Sequence, residues 1–259
     1  MANDIKSNLF KIPFVVYIIN ILLTDIASAS LNYTYWTYFY ALLYGKIRYC
    51  QIVCYFSHLL YSVSNFSLMV FAFERFLILN FPWKCSSFSR KTVITLILST
   101  WAISAVVVIP EYYKFGEINI NGVTYCHVVK LDKMMATIIS FIELIWEWIM
   151  PSTFLIILNG GILFAMMTRK VNSKGKSNND SGVAKALVLS CVIQVICPLP
   201  RSVISLLLRF NIIQMSMWIY VGMTGSFLLV SHSFNSVLFM MSWSKLRNEY
   251  KKIACIRGK

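Results

Sequence analysis

Ionisable side chains interrupt the apolar runs of this chain at a few places. They are Asp25 in Asn20-Ile-Leu-Leu-Thr-Asp25, His58, the pair Glu74-Arg75, Glu143 and Glu147 one turn apart, and Arg201 directly after Pro200. A charge in a membrane-spanning stretch is expensive, so by default it marks function rather than packing. The chemistry these residue types support is the holding of charge and hydrogen bonds. No catalytic triad, phosphate loop or metal-ligand cluster is spelled out. Asp25 needs a cation or polar partners. A Glu147–Arg201 pair would satisfy two otherwise costly charges. Arg75 has Glu74 beside it, and Asp180 lies twenty residues before Pro200, roughly 30 Å along a helix toward the same end. Asp180 equally suits a helix cap, because Asn179-Asp180-Ser181 offers three N-cap side chains.

The elements that must position these groups are membrane helices. Of 259 residues, 58% are apolar, 15% aromatic and only 13% charged, values a soluble domain rarely reaches. Six spans are expected, at 12–31, 51–80, 93–110, 134–167, 184–208 and 212–241. Each has the ~17–20 residues that a crossing helix needs. Together they make one transmembrane domain over 1–259, followed by a short basic amphipathic surface helix at 244–253. No signal peptide precedes the spans and no internal repeat is found.

The net charge of +14 suggests nucleic acid at first sight, but its distribution argues against such a partner. With the N-terminus in the cytosol, most of the 24 Lys and Arg fall on the cytosolic side. That is the positive-inside pattern, with weak attraction to anionic membrane lipid. The seven cysteines form no disulfide framework. Cys50 and Cys126 fall in outer loops, where oxidation can occur; Cys54, Cys191 and Cys197 lie in spans. Between the third and fourth spans, alternation around Asn121-Gly122 from Glu117 to Cys126 predicts a β-hairpin, because Asn-Gly accepts the positive φ of a type I′ turn.

Arg75 follows Cys50 by twenty-five residues, roughly 37 Å along a helix and so across the bilayer. Cysteine on one side and an acid–arginine pair on the other is the layout of the third helix of rhodopsin-like (class A) G-protein-coupled receptors. The chain resembles that family over nearly its whole length. Asn20 to Asp25 resembles the family's second helix. Pro82 matches its second cytoplasmic loop, Trp101 and Pro110 its fourth helix and Pro151 its fifth. Cys197-Pro-Leu-Pro200 resembles the Cys-Trp-x-Pro signature of the sixth helix, and Asn235-Ser-Val-Leu-Phe239 resembles Asn-Pro-x-x-Tyr of the seventh.

The resemblance implies an all-α membrane fold carrying helices two to seven of a seven-helix bundle. It also implies no enzymatic activity, a plasma-membrane location, an extracellular ligand and a heterotrimeric G-protein partner. By the same resemblance, Glu74, Arg75, Asp180, Pro200, Asn235 and Phe239 are the switch and coupling residues. Ser57, His58, Tyr61, Glu143, Glu147 and Arg201 face the ligand cavity, although a lone histidine is more often a hydrogen-bonded core residue than a ligand contact. Asp25, Ser64 and Asn235 match a sodium site that water would complete; the alternative is a hydrogen-bonded cluster without an ion. Cys50 and Cys126 match a disulfide that would pin the hairpin, the alternative being two free thiols. Cys255 matches a palmitoylation position. Ser57 stands where aminergic receptors place an aspartate, so a biogenic amine is not expected. The hairpin and the mixed-charge cavity favour a peptide over lipids and other small organic molecules.

Departures from the pattern accompany these matches. The family's first helix is not found before residue 12, which points to a fragment or truncated gene product. Pro198 replaces the tryptophan before the hinge proline, Gln194 a phenylalanine and Asn159 the fifth-helix tyrosine. Ser236 and Phe239 replace the proline and tyrosine of the last motif. These changes motivate a second reading, a non-signalling or dominant-negative partner of other receptors. A channel or transporter is a third, without repeats or a filter to support it.

Overall fold

The apolar runs fold as long helices in the computed structural model, which describes residues 13–41, 50–81, 88–120, 123–128, 133–172, 188–209, 226–227 and 230–234. In chain order they are α1 (Pro13–Ala41), α2 (Cys50–Asn80), α3 (Arg90–Val107) and α4 (Ile109–Lys114). The strands β1 (Phe115–Ile120) and β2 (Val123–Val128) follow, then α5 (Lys133–Glu143), a π-helical segment (Leu144–Ile149) and α6 (Met150–Asn172). α7 (residues 188–196) and α8 (Leu199–Arg209) come next, and residues 230–234 are helical.

Gln51–Asn80, Arg90–Lys114 and Thr137–Ala165 are long and apolar enough to cross a membrane, and Val15–Leu31 is a shorter apolar helix. Leu98, Val106, Ile157 and Phe164 are exposed on these helices. Such faces suit lipid tails, which are as apolar as the side chains themselves.

Prolines set the departures from straight helix. The span expected to stop at Pro110 continues to Lys114. The chain turns at Val108 and restarts, so Pro110 sits in the first turn of α4, where a missing N–H costs nothing. Before Pro151 the helix widens: the Met150 N–H reaches the Ile145 carbonyl five residues back. That loosened turn makes room for the proline ring against the preceding carbonyls. The fifth span breaks at Cys197–Pro198, two residues ahead of the hinge expected at Pro200. Each proline removes a donor there; the helical ladder resumes with the Ser202 N–H on the Pro198 carbonyl (3.1 Å), to which the Ser202 hydroxyl also donates (3.2 Å).

The core lies where α1, α2, α3 and α6 meet, with Tyr17, Ile21, Phe71, Val93 and Leu155 closely packed. Asn20 ties three of these helices together. Its amide donates to Ser67 Oγ (2.8 Å), and its carbonyl oxygen accepts from Trp101 Nε1 (3.1 Å). At the α2–α6 contact a Cβ on Gly161 would stand 2.3 Å from Phe76 Cε2, inside any van der Waals distance. Gly161→Ala is therefore expected to lower thermal stability by about 1–3 kcal/mol, the usual cost of overpacking. Melting of the detergent-solubilised protein reads it; an unchanged midpoint would mean that the Phe76 ring moves aside freely.

The hairpin forms as its sequence predicts. β1 and β2 pair antiparallel from Phe115↔Val128 to Ile120↔Val123, which leaves Asn121 and Gly122 as a two-residue connection. β1 lies against α2, so the hairpin is seated over the outer end of the bundle.

Candidate functional site

Among the described residues, polar side chains gather at three depths along α2. In the outer half, α4 packs between α2 and α5, and five ionisable groups converge. His58 from α2 places Nδ1 2.5 Å from Glu147 Oε1 of the π segment, and Nε2 3.7 Å from Glu111 Oε2 of α4. Lys114 Nζ lies 3.2 Å from Glu111 Oε2 and also contacts Glu143 at the end of α5. Glu111 and Glu147 are buried; Glu143 is partly open. The α4 restart behind Pro110 and the π turn ahead of Pro151 carry these charges to one place. Just inward, Trp146 Nε1 donates to Ser62 Oγ (3.2 Å). Trp148 Nε1 reaches the Val195 carbonyl (3.4 Å), one turn before the break between α7 and α8.

At mid-depth, Asp25 Oδ1 accepts two short bonds: from Ser64 Oγ at 2.6 Å and from His232 Nδ1 at 2.6 Å. His232 Nε2 lies 3.2 Å from Ser28 Oγ. One tautomer satisfies both nitrogens, with Nδ1–H donating to the carboxylate and Nε2 accepting from the hydroxyl. Tyr61 meets the His232 ring edge-on at 5.5 Å, and Ser231 Oγ donates to Gln194 Oε1 (3.2 Å). The cluster is sealed, with Asp25 and His232 each 1% exposed. Asp25 Oδ2 has no hydrogen-bond partner.

At the far end of α2, Glu74 is fully buried and its Oε1 accepts the Phe88 N–H (2.9 Å). The Arg75 guanidinium lies over the Phe71 ring at 5.3 Å, a cation–π contact, and Phe71 in turn packs on Tyr17 at 5.6 Å.

The chain as a whole matches a family: the model for 7 transmembrane receptor (rhodopsin family) covers residues 5–238. The chain belongs to the rhodopsin family of receptors. No curated protein matches it. Membership makes the receptor a multi-pass membrane protein that signals from the plasma membrane, carries out no enzymatic reaction, and has an extracellular ligand and a heterotrimeric G protein as partners.

The receptor brings many of the expected site residues together. His58, Glu143 and Glu147 share the outer cluster, with Glu111 and Lys114 as members that sequence reasoning missed. Tyr61, expected in the cavity, stands one turn deeper against His232. Glu147 was expected on Arg201, and the structure supplies His58 as a partner; the Arg201 side chain lies outside the described residues. Asp180, Asn235, Phe239, Cys255 and the 244–253 helix also lie outside them, as do the Cys50 and Cys126 side chains, so the disulfide stays an expectation. Pro200 sits just inside α8, beyond the break.

Sodium is the ion that the family resemblance implies at Asp25. Asp25 and Ser64 do meet, as that reading requires. The described residues do not fit a sodium ion, however. The imidazole of His232 stands on the carboxylate where a cation would sit, and Asp25 offers one remaining oxygen toward a metal that seeks about six. The described cluster is the hydrogen-bonded alternative. His232 was missed in the sequence, although an ionisable side chain three residues before Asn235 was a readable signal.

Proposed function

We propose that the receptor's extracellular ligand is a peptide, and that it acts by shifting α7 and α8 about the Cys197–Pro200 break so that Arg75 meets the G protein. The outer cluster carries this reading. Acids and bases from α2, α4, α5 and the π segment converge beneath a β-hairpin, which offers paired polar contacts to a ligand bearing both charges. The Trp148–Val195 bond supports coupling, since a ligand that moves the π segment pulls on the helix just before the break. A ligand shifts such an equilibrium only by its differential affinity for the two arrangements. Ser57 offers no carboxylate for an amine, which keeps biogenic amines outside the proposal.

The test uses cells displaying the receptor, challenged with peptide-rich tissue extract, with nucleotide exchange on Gα as the readout. Activation that disappears after protease treatment of the extract is the expected result. Activation that survives proteolysis and is lost on lipid extraction would sink the peptide reading. Pro198 and Gln194 at the break, where relatives carry other residues by the resemblance above, favour the second reading of a receptor that does not signal. In that case no extract activates exchange, and co-expression lowers the surface level of a signalling relative.

A further inference from the structure

The outer cluster has a feature that peptide recognition does not call for. The imidazole nitrogen of His58 and one carboxylate oxygen each from Glu143 and Glu147 lie within 4.8 Å of one another. From this convergence we infer that His58, Glu143 and Glu147 form a binding site for a divalent transition-metal ion of the Zn²⁺ class. A tetrahedral ion with bonds of about 2.0–2.2 Å holds its ligand atoms roughly 3.3–3.5 Å apart. To reach that spacing the His58 Nδ1–Glu147 Oε1 pair must part from 2.5 Å, and the Glu143 oxygen must close from a separation of at most 4.8 Å.

The surroundings fit an ion in three independent ways. His58 turns Nδ1 toward Glu147 and Nε2 toward Glu111 Oε2 at 3.7 Å. A ligating histidine is ordinarily oriented by a carboxylate on its other ring nitrogen, and Glu111 stands in that position. Glu111 is 4% exposed, and its Oε2 accepts no hydrogen bond although the Lys114 ammonium is 3.2 Å away. Charge is the second point: among the described residues, three carboxylates meet one lysine and one histidine. The third is rigidity, because Glu143 and Glu147 flank the junction at which α5 widens into the π turn that Pro151 requires. The donor set also selects the metal. Imidazole with carboxylate suits zinc, whereas calcium takes six to eight oxygens and magnesium an octahedron of them. Three protein ligands leave a fourth position for water or a donor atom of a ligand.

The experiment uses the full receptor purified through a tag free of histidine, stripped of metal, with accessible thiols alkylated. Zn²⁺ is titrated by calorimetry and by thermal melting, with Mg²⁺ as the control ion and no ligand present. A failed ligand search therefore leaves this result standing. One Zn²⁺ per receptor with a dissociation constant in the micromolar range or below is expected, together with a raised melting midpoint. His58→Ala and Glu147→Gln should each weaken binding by more than tenfold. Glu111→Gln, at a positioning residue, should weaken it by about 10–100-fold. Melting without metal shows whether each variant folds. No binding at 100-fold higher Zn²⁺, or binding that both variants leave unchanged, would overturn the site. The first result would accord with Glu147 being held by Arg201, the second with an adventitious surface ion.

Discussion

Arg75→Ala is expected to reduce agonist-stimulated nucleotide exchange to the unstimulated level while leaving the receptor at the cell surface. The two effects are read separately because exchange depends on the proposed G-protein contact, whereas surface level depends on the fold. Within the described fold its guanidinium lies on the Phe71 ring, a contact of about 0.5–2 kcal/mol. A fully desolvated arginine at a G-protein contact loses more. Two charge-assisted hydrogen bonds at about 1.5–3 kcal/mol each make the complex on the order of 10²–10⁴-fold weaker. Arg75→Lys keeps the charge without the planar fork, so only partial exchange should return. Flow cytometry against exchange measurements reads both quantities. Full exchange from the alanine variant would remove Arg75 from the mechanism.

The neighbouring Glu74 also holds the chain together at this end of α2. Its carboxylate is buried and receives the Phe88 N–H, which fixes the segment entering α3 to the end of α2. Sequence spacing offered Glu74 and Asp180 as acids near Arg75 but could not assign their partners. Adjacent residues on a helix point about 100° apart, and the direction that matters is set by what packs there.

The same limit explains what could be read from the sequence elsewhere. Periodicity along one element was legible. A helix covers Cys50–Asn80, where the sequence pattern placed a span, and the strands on either side of Asn121-Gly122 pair antiparallel. The Asp25–Ser64 contact was legible through the family resemblance, which supplies relations between helices that a lone sequence does not. Meetings between distant helices were not legible. His58 and Glu147 are 89 residues apart, and Asp25 and His232 are 207 apart. The expected third span ended at Pro110. Proline is tolerated at a helix start, and that restart is what brings Glu111 and Lys114 into the outer cluster. The π turn before Pro151 left no periodicity signal, being only six residues long.

His232→Ala is expected to destabilise the receptor more than any other single change in the polar core. In the native arrangement Asp25 Oδ1 shares two donors at 2.6 Å, and Oδ2 has none. Removing the imidazole leaves Ser64 as the remaining hydrogen bond of a sealed carboxylate. Leaving a buried group so short of partners costs about 1–3 kcal/mol. For a domain of this size that is a fall of several degrees in melting midpoint. The double variant Asp25→Asn with His232→Ala should recover much of the loss, because the charge and its donor leave together; a cycle over the four proteins isolates their coupling. Sodium distinguishes this account from an ion-binding one. Exchanging potassium chloride for sodium chloride should leave the native midpoint unchanged, since the ring occupies the cation's place. In His232→Ala the vacated volume borders the Asp25 carboxylate oxygens, so sodium should stabilise that variant selectively. A sodium-dependent rise in the native receptor would show that a cation reaches Oδ2 beside the imidazole, and the geometric exclusion would fail.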